Sequence, residues 1–141
     1  MTGELIHASC VAIEGRAVLI AGASGRGKSD LAIRLIDRGA VLVSDDYTLI
    51  AQAEGQAMAT APETIAGKLE LRGVGIVSLE VLSDVPVCLY VDLDRDPERL
   101  PEPQRRTLAG VEIPAIALAG LEASAPLKVE AALRLHGLPG S

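Results

Sequence analysis

The chain has 141 residues, a length typical of one domain, and a formal net charge of −6. It contains no Phe, no Trp and only two Tyr, so its core must be built from Leu, Val, Ile and Ala. This composition argues against a nucleic-acid partner, because such proteins use clustered Lys and Arg and aromatic stacking platforms.

Cellular location is indicated by what the sequence does not contain. No apolar run approaches the ~20 residues of a membrane span, and the first residues lack the pattern of a signal peptide. Cys10 and Cys88 are isolated, each inside an apolar run, which favours buried free thiols over a disulfide or a metal pair. We therefore expect a cytoplasmic protein with no membrane partner.

The first half of the chain predicts a hairpin, a glycine-rich loop and a helix. Two apolar stretches, IHASCVAI and AVLIA, flank residues 14–16 and predict a β-hairpin that leads into the loop. Residues 28–38 (KSDLAIRLIDR) have helical spacing of their apolar positions, and Gly39 is a natural terminator. A short apolar strand at residues 40–43 then ends in Ser44, Asp45 and Asp46.

The second half predicts mostly strands. The expected elements are a hairpin at 48–52 and 56–61, a strand–loop–strand at 69–79, strands at 85–93 and 113–118, and a helix at 127–135. Residues 92–104 are charged and carry three prolines, so they predict an exposed connection, and we expect His136 in a frayed C-terminal tail. Strands alternating with two helices predict an α/β fold with a mixed sheet, and we expect residues 1–141 to be a single domain.

Residues 22–29 read GASGRGKS and satisfy the pattern G-x-x-x-x-G-K-[ST] between a predicted strand and a predicted helix. In that context the backbone N–H groups close around phosphate oxygens, and the helix N-terminus favours bound anions. The lysine reaches the β- and γ-phosphates, and the serine hydroxyl can join a Mg²⁺ shell. The alternative is a glycine turn that arose by chance. The candidate ATP-binding residues are Gly22, Ala23, Ser24, Gly25, Arg26, Gly27, Lys28 and Ser29.

Further polar residues follow or flank the predicted strands. Asp45 and Asp46 could divide two roles beside a triphosphate, one holding Mg²⁺ and the other accepting a proton, although a solvated strand end is the alternative. His7 lies on the strand next to the loop strand, where a structural role is the alternative. Glu70 and Arg72 precede a Gly-x-Gly turn, where they could bind metal and stabilise phosphoryl charge or simply form a surface loop.

Several segments together resemble the catalytic domain of the HPr kinase/phosphorylase family, whose members phosphorylate a serine of the phosphocarrier HPr. They are the His7 strand, GASGRGKSDLAIRLIDRG, VLVSDD, LELRGVGI and LAGVEIPAIAL, in family order from about residue 7 to 118. The resemblance implies the family's own P-loop fold, related to phosphoenolpyruvate carboxykinase. It also implies an ATP- and Mg²⁺-dependent protein-serine kinase that acts on HPr and forms homo-oligomers.

The resemblance also implies roles for particular residues. Lys28 and Ser29 keep their phosphate and magnesium roles, and Glu70 matches a second magnesium ligand. The pair Asp45 and Asp46 holds the proton acceptor, for which we favour Asp46. His7 matches a catalytic histidine near that pair. Residues 69–78, which include Arg72, match a loop that serves catalysis, and Arg99 matches a further catalytic arginine.

Two departures from the family pattern limit what can be carried over. The match begins almost at Met1, without the family's usual N-terminal domain, as in the compact versions of some proteobacteria. A Gly-Arg-Asn stretch tied to dephosphorylation is replaced by LAGLEASAPLK. We therefore expect kinase rather than phosphorylase activity. The alternatives are a nucleotide-sensing module that transfers no phosphate and a small-molecule P-loop kinase.

Overall fold

The computed structural model describes residues 3–140, which form eleven strands, two α-helices and one 3-10 turn. In chain order the elements are β1 (Glu4–Ile6), β2 (Ala8–Ile13), β3 (Arg16–Ala21), α1 (Lys28–Asp37), β4 (Val41–Ser44), β5 (Thr48–Ala53), β6 (Gln56–Thr60), a 3-10 turn (Glu63–Ile65), β7 (Lys68–Leu71), β8 (Gly75–Ser78), β9 (Val85–Asp92), β10 (Gln104–Leu108), β11 (Val111–Ala117) and α2 (Ala125–His136). The predicted mixed α/β fold with few helices is confirmed.

Nine of these strands form one curled, branched sheet. Its main path runs β1-β5-β6-β9-β3-β2-β4, and β9 also pairs with β11, which carries β10 at its other edge. Strands β3, β9 and β11 are mutually parallel, whereas the remaining pairs are antiparallel. Because the carboxyl ends of parallel strands meet at one edge, the loops after β3, β9 and β11 lie together there.

The two predicted hairpins of the sheet are confirmed. Strand β2 pairs antiparallel with β3, and β5 pairs antiparallel with β6. The turn residues Glu14, Gly15, Glu54 and Gly55 all have positive φ, the conformation that a two-residue turn needs to match the twist of its strands. The predicted strand–loop–strand is also present, as the separate β7–β8 hairpin.

Apolar side chains fill both faces of the sheet. Alternate residues of β3 point to opposite faces: Leu19 packs inside the curl, while Ile20 packs on the face covered by the helices. Strand β9 is buried along its whole length, and its pairing with β3 skips Cys88, so that Val87 faces the curl and Leu89 faces the helices. Because both faces of β9 are buried, the segment VPVCLYV reads as a nearly continuous apolar run.

Helix α1 starts at the glycine-rich loop and ends close to the predicted terminator. It buries Leu31, Ala32 and Leu35 against the sheet. At its end the Gly39 N–H donates to the Ile36 carbonyl and the Ala40 N–H donates to the Leu35 carbonyl, each at 3.0 Å. This is the Schellman arrangement, and it uses a glycine because the Gly39 φ of 114° would strain any residue with a side chain.

Four details differ from the sequence-based expectation. His7, expected on the strand beside the loop strand, lies at a bend between β1 and β2. Strand β10 was not predicted, because its residues QRRTL are polar and four of the five are exposed. Its signal was the Ala109-Gly110 turn, in which both residues have positive φ. The expectation of a frayed tail at His136 is wrong, since this residue closes the last turn of α2. Most of the predicted 92–104 connection is exposed, but Asp92 and Leu93 are buried.

Candidate active site

The GASGRGKS loop joins β3 to α1, so the strand–loop–helix context that the motif requires is present. Gly25 and Gly27 have φ values of 87° and 92°, which only glycine adopts without strain, and they turn the backbone toward the start of the helix. The Lys28 side chain is buried, and its Nζ donates to the Gly22 carbonyl at 2.7 Å. The lysine therefore lies across the loop rather than in solvent.

A carboxylate in the segment that follows β9 holds the first part of the GASGRGKS loop. The Ala23 N–H donates to both Asp94 oxygens, at 3.0 and 3.1 Å, and Arg26 Nε lies 3.3 Å from Asp94 Oδ1. Asp94 is itself positioned because its N–H donates to Asp92 Oδ1 at 2.8 Å. The segment after the neighbouring parallel strand β9 therefore fixes the conformation of the GASGRGKS loop.

Asp45 is the buried member of the predicted aspartate pair. Its Oδ1 accepts hydrogen bonds from the Ser9 hydroxyl at 2.9 Å and the Ser29 hydroxyl at 2.6 Å. Its Oδ2 accepts from the Glu70 backbone N–H at 3.2 Å. Asp45 thus links the strand beside the loop, the start of α1 and the β7–β8 hairpin, and its oxygens already have partners.

Asp46 has the opposite environment, because 52% of its side chain is exposed. The Tyr47 N–H donates to the Asp45 carbonyl at 2.7 Å, which closes a three-residue γ-turn with Asp46 at its centre. The Asp46 φ of 67° is strained for a residue with a side chain, and such strain is concentrated at functional sites. Two further contacts hold the turn: the Asp46 N–H donates to Ser9 Oγ at 3.0 Å, and the Ser44 hydroxyl donates to the Tyr47 carbonyl.

This turn brings together three of the sequence-predicted residues. His7 Nε2 donates to Asp46 Oδ1 at 2.9 Å, and Lys28 Nζ lies 3.7 Å from the same oxygen. Tyr47 stacks on the His7 ring, with ring centroids 4.8 Å apart and planes inclined by 20°. An exposed carboxylate oxygen between an imidazole and the loop lysine is well placed to accept a proton beside a bound phosphate.

The β7–β8 hairpin lies beside this cluster but contributes less to it than expected. Its Leu69 is buried, and the backbone of Glu70 reaches Asp45, whereas the Glu70 side chain is exposed. Arg72, in the exposed turn, makes no hydrogen bond or ion pair with the described residues. Across residues 3–140, no group of three or more His, Cys, Asp or Glu side chains is gathered to hold a metal ion by itself. The predicted roles of Glu70 and Arg72 stay predictions.

Three contacts at the site were not anticipated. Ser9 and Tyr47 flank the predicted His7 and aspartates in sequence, and a polar residue inside the apolar run HASCVAI was the available signal for Ser9. Asp94 lies in the charged stretch DLDRDPER, where nothing distinguishes it from its acidic neighbours. The pairing of β9 with β3 was needed to find it.

Comparisons with known proteins identify the family of this chain. Residues 2–85, more than half of the chain, match the family model described as HPr Serine kinase C-terminal domain. Among curated proteins, the HPr kinase/phosphorylase of Clostridium beijerinckii is 42% identical over 77 residues, which are 55% of this chain and 26% of that protein. That of Brevibacillus brevis is 48% identical over 75 residues, 52% of this chain and 24% of that protein. The matched segment thus spans about a quarter of the length of these relatives.

The fold has a counterpart among solved structures. The Hpr(Ser) kinase/phosphatase from Coxiella burnetii superimposes with a TM-score of 0.81 and 28% sequence identity, over 94% of this chain and 95% of that one. The loop, the aspartate pair and the whole β7–β8 hairpin fall inside the segment matched by the family model. The chain therefore belongs to the HPr serine kinase C-terminal domain family.

Proposed function

We propose that this chain transfers the γ-phosphoryl group of ATP to a serine hydroxyl of the phosphocarrier HPr. The single observation that carries the proposal is the exposed Asp46 carboxylate, which lies 3.7 Å from Lys28 Nζ and 2.9 Å from His7 Nε2. The relatives reported above carry HPr kinase in their names. The proposal includes a cytoplasmic location and a homo-oligomer; none of the helices within residues 3–140 is long and apolar enough to cross a membrane.

In the proposed reaction the serine oxygen attacks the γ-phosphorus, the bond to the β,γ-bridging oxygen breaks, and ADP leaves. Asp46 takes the proton of the serine hydroxyl, and the Nε2–H of His7 keeps the carboxylate oriented. Lys28 and the loop N–H groups stabilise charge on the transferring phosphoryl oxygens. The acceptor approaches from the solvent side, where Asp46 and His7 are exposed.

Ser29 and Asp45 fit the magnesium ion that such a reaction requires. The Ser29 hydroxyl and the Asp45 carboxylate are hard oxygen ligands held 2.6 Å apart. Mg²⁺ commonly takes one or two such ligands and completes its shell with water and substrate phosphates. When bound, the ion would neutralise charge on the β- and γ-phosphates. Glu70, whose backbone N–H donates to Asp45, is a further proposed ligand through its exposed carboxylate.

The test is to incubate the protein with ATP, Mg²⁺ and purified HPr and to measure phosphoryl transfer to HPr by mass spectrometry. We expect Asp46→Asn to lower kcat by about 10²–10⁴-fold, the usual contribution of a general base, with a nearly unchanged Kd for ATP. Lys28→Ala should abolish transfer and weaken ATP binding. Asp45→Asn should raise the Mg²⁺ concentration needed for half-maximal activity.

Asp84→Asn is a matched control. Asp84 is also exposed and also has a positive φ, of 53°, but it precedes β9 and so lies at the opposite end of that strand from the loop. Wild-type turnover by Asp46→Asn would refute the proposed proton acceptor. A wild-type protein that binds ATP but leaves HPr unmodified would instead favour a nucleotide-sensing module, and transfer to a metabolite would favour a small-molecule kinase.

A further inference from the structure

The segment that follows β11 lies directly on the phosphate loop. Strands β3, β9 and β11 are parallel neighbours, so residues 118–122 emerge at the sheet edge that carries the loop. A Cβ atom on Gly27 would lie 2.6 Å from Leu121 Cδ2, and a Cβ on Gly120 would lie 3.0 Å from the Arg26 carbonyl oxygen. The two segments therefore come into close contact at two glycines, which leave room for the Leu121 side chain and for the Arg26 carbonyl.

This segment is also fixed relative to α1. The Arg34 guanidinium donates to the Gly120 carbonyl, and its Nη1 donates to the Glu122 carbonyl at 2.9 Å. Arg34 Nε donates to Asp30 Oδ1 at 2.7 Å, on the first turn of the same helix. Leu121 is thus held at a fixed position beside the start of α1, even though 64% of it is exposed.

A single exposed leucine needs no special explanation, but the position of Leu121 does. A nucleotide whose phosphates are held by the loop must direct its base along the carboxyl edge of the sheet, beside the loops of the neighbouring parallel strands. A base has two flat faces that need apolar contact. Each tyrosine ring already has a contact of its own: Tyr47 stacks on His7, and the guanidinium of Arg106 lies 4.7 Å above the Tyr90 ring.

We propose that Leu121 is the apolar contact for the base of the bound nucleoside triphosphate, and that the residue 118–122 segment forms one wall of the base site. This inference rests on the proposed binding of nucleotide at the GASGRGKS loop. It separates the site into two parts. The loop, Lys28 and Ser29 bind the phosphates, whereas Leu121 contacts only the nucleoside.

The two parts can be measured separately by calorimetric titration with Mg-ATP and with inorganic triphosphate in the presence of Mg²⁺. We expect Leu121→Ala to weaken ATP binding about tenfold, the effect of removing a partly buried aliphatic side chain, and to change triphosphate binding less than twofold. Leu121→Met should restore most of the ATP affinity. Leu127→Ala is the matched control, because Leu127 is 51% exposed on α2 and should leave both affinities unchanged.

Each outcome decides the proposal. A loss confined to ATP supports it. An equal loss for ATP and triphosphate would mean that Leu121 acts by shaping the loop, and no loss for ATP would place the base elsewhere; either result overturns the inference while nucleotide binding stands. Wild-type protein that binds neither compound would overturn the inference and the proposed function together.

Discussion

At the scale of single residues, the two adjacent aspartates have separate environments. Asp45 is buried and accepts three hydrogen bonds, while Asp46 is exposed at the centre of a strained turn. The sequence predicted the pair and favoured Asp46, but it could not separate them by physical reasoning. The difference comes from Ser9, Ser29 and the Glu70 backbone, which belong to three elements far apart in the chain.

Tyr47 provides a residue-scale prediction, because its ring stacks on the imidazole that bonds to Asp46. An aromatic pair contributes about 0.5–1.5 kcal/mol. We expect Tyr47→Leu to lower kcat for phosphoryl transfer by about 2–12-fold, the rate equivalent of that energy, with an unchanged Kd for ATP. Tyr47→Phe keeps the ring and should behave as wild type.

The stacking of Tyr47 on His7 can also be tested by NMR, without measuring activity. The chain has two histidines, His7 and His136, so its imidazole NMR spectrum is simple. Removing the Tyr47 ring should shift the His7 ring protons downfield, because they lose the ring current of a stacked aromatic, and should leave His136 unchanged. Unaltered His7 resonances in Tyr47→Leu would show that the two rings are not stacked in solution.

At the scale of elements, most hairpins and helices could be predicted from local patterns, whereas their pairing could not. The two-residue turns, the apolar spacing of α1 and its glycine terminator are short-range signals. By contrast, β9 pairs with β3, β6 and β11, and Asp94 accepts a hydrogen bond from the loop. Both features depend on contacts between distant segments. Strand β10 was missed because an exposed edge strand has no apolar alternation.

The β7–β8 hairpin carries an element-scale prediction. Val74, in its turn, is 75% exposed and Ile76, on β8, is 69% exposed, while the Glu70 backbone N–H on β7 donates to Asp45. Such apolar side chains beside the site suit contact with a protein acceptor, where each buried anchor contributes more than about 1 kcal/mol. We expect the double variant Val74→Ser, Ile76→Ser to raise the KM for HPr about tenfold or more.

The same variant should leave the KM for ATP unchanged, since neither side chain belongs to the loop. Leu100→Ser is the control, because Leu100 is 84% exposed in the long connection before β10. If the KM for HPr were the same in the double variant and in wild type, the hairpin tip would not contact the acceptor.

At the scale of the whole molecule, two apolar layers on opposite faces of the sheet form the core, without any Phe or Trp. The composition predicted aliphatic packing, and the isolated cysteines were predicted to be buried free thiols. Both cysteines are free and buried, one on each face of the sheet. The expectation of a single domain stays a prediction.

Those thiols make the stability of the fold depend on pH in the alkaline range. Burial raises the pKa of the Cys10 thiol far above its ordinary 9.0, and burial also raises the pKa of Cys88. Above that ordinary value the unfolded thiol loses its proton while the buried one keeps it. Unfolding then releases a proton, so the free energy of unfolding falls with rising pH, by about 1.4 kcal/mol per pH unit for a fully protected thiol.

Urea denaturation at about pH 8 and about pH 10 measures this effect. We expect Cys10→Ala to reduce the alkaline loss of stability, since alanine cannot ionise in the unfolded chain. A Cys10→Ala protein that loses as much stability between these pH values as wild type would contradict the assignment and point to other groups, such as the raised pKa of Tyr90.

The turn at Asp46 has a consequence for how this chain can change over time. A side chain at that φ costs on the order of 1–3 kcal/mol, a sizeable share of the roughly 5–15 kcal/mol that keeps a domain folded. Glycine would relax the turn and asparagine would tolerate it, yet neither offers a carboxylate. A substitution of Asp46 that stabilises the fold by relaxing this turn would therefore also remove the proposed proton acceptor. In a lineage that is no longer selected for phosphoryl transfer, we expect Asp46 to be replaced before the residues of the GASGRGKS loop.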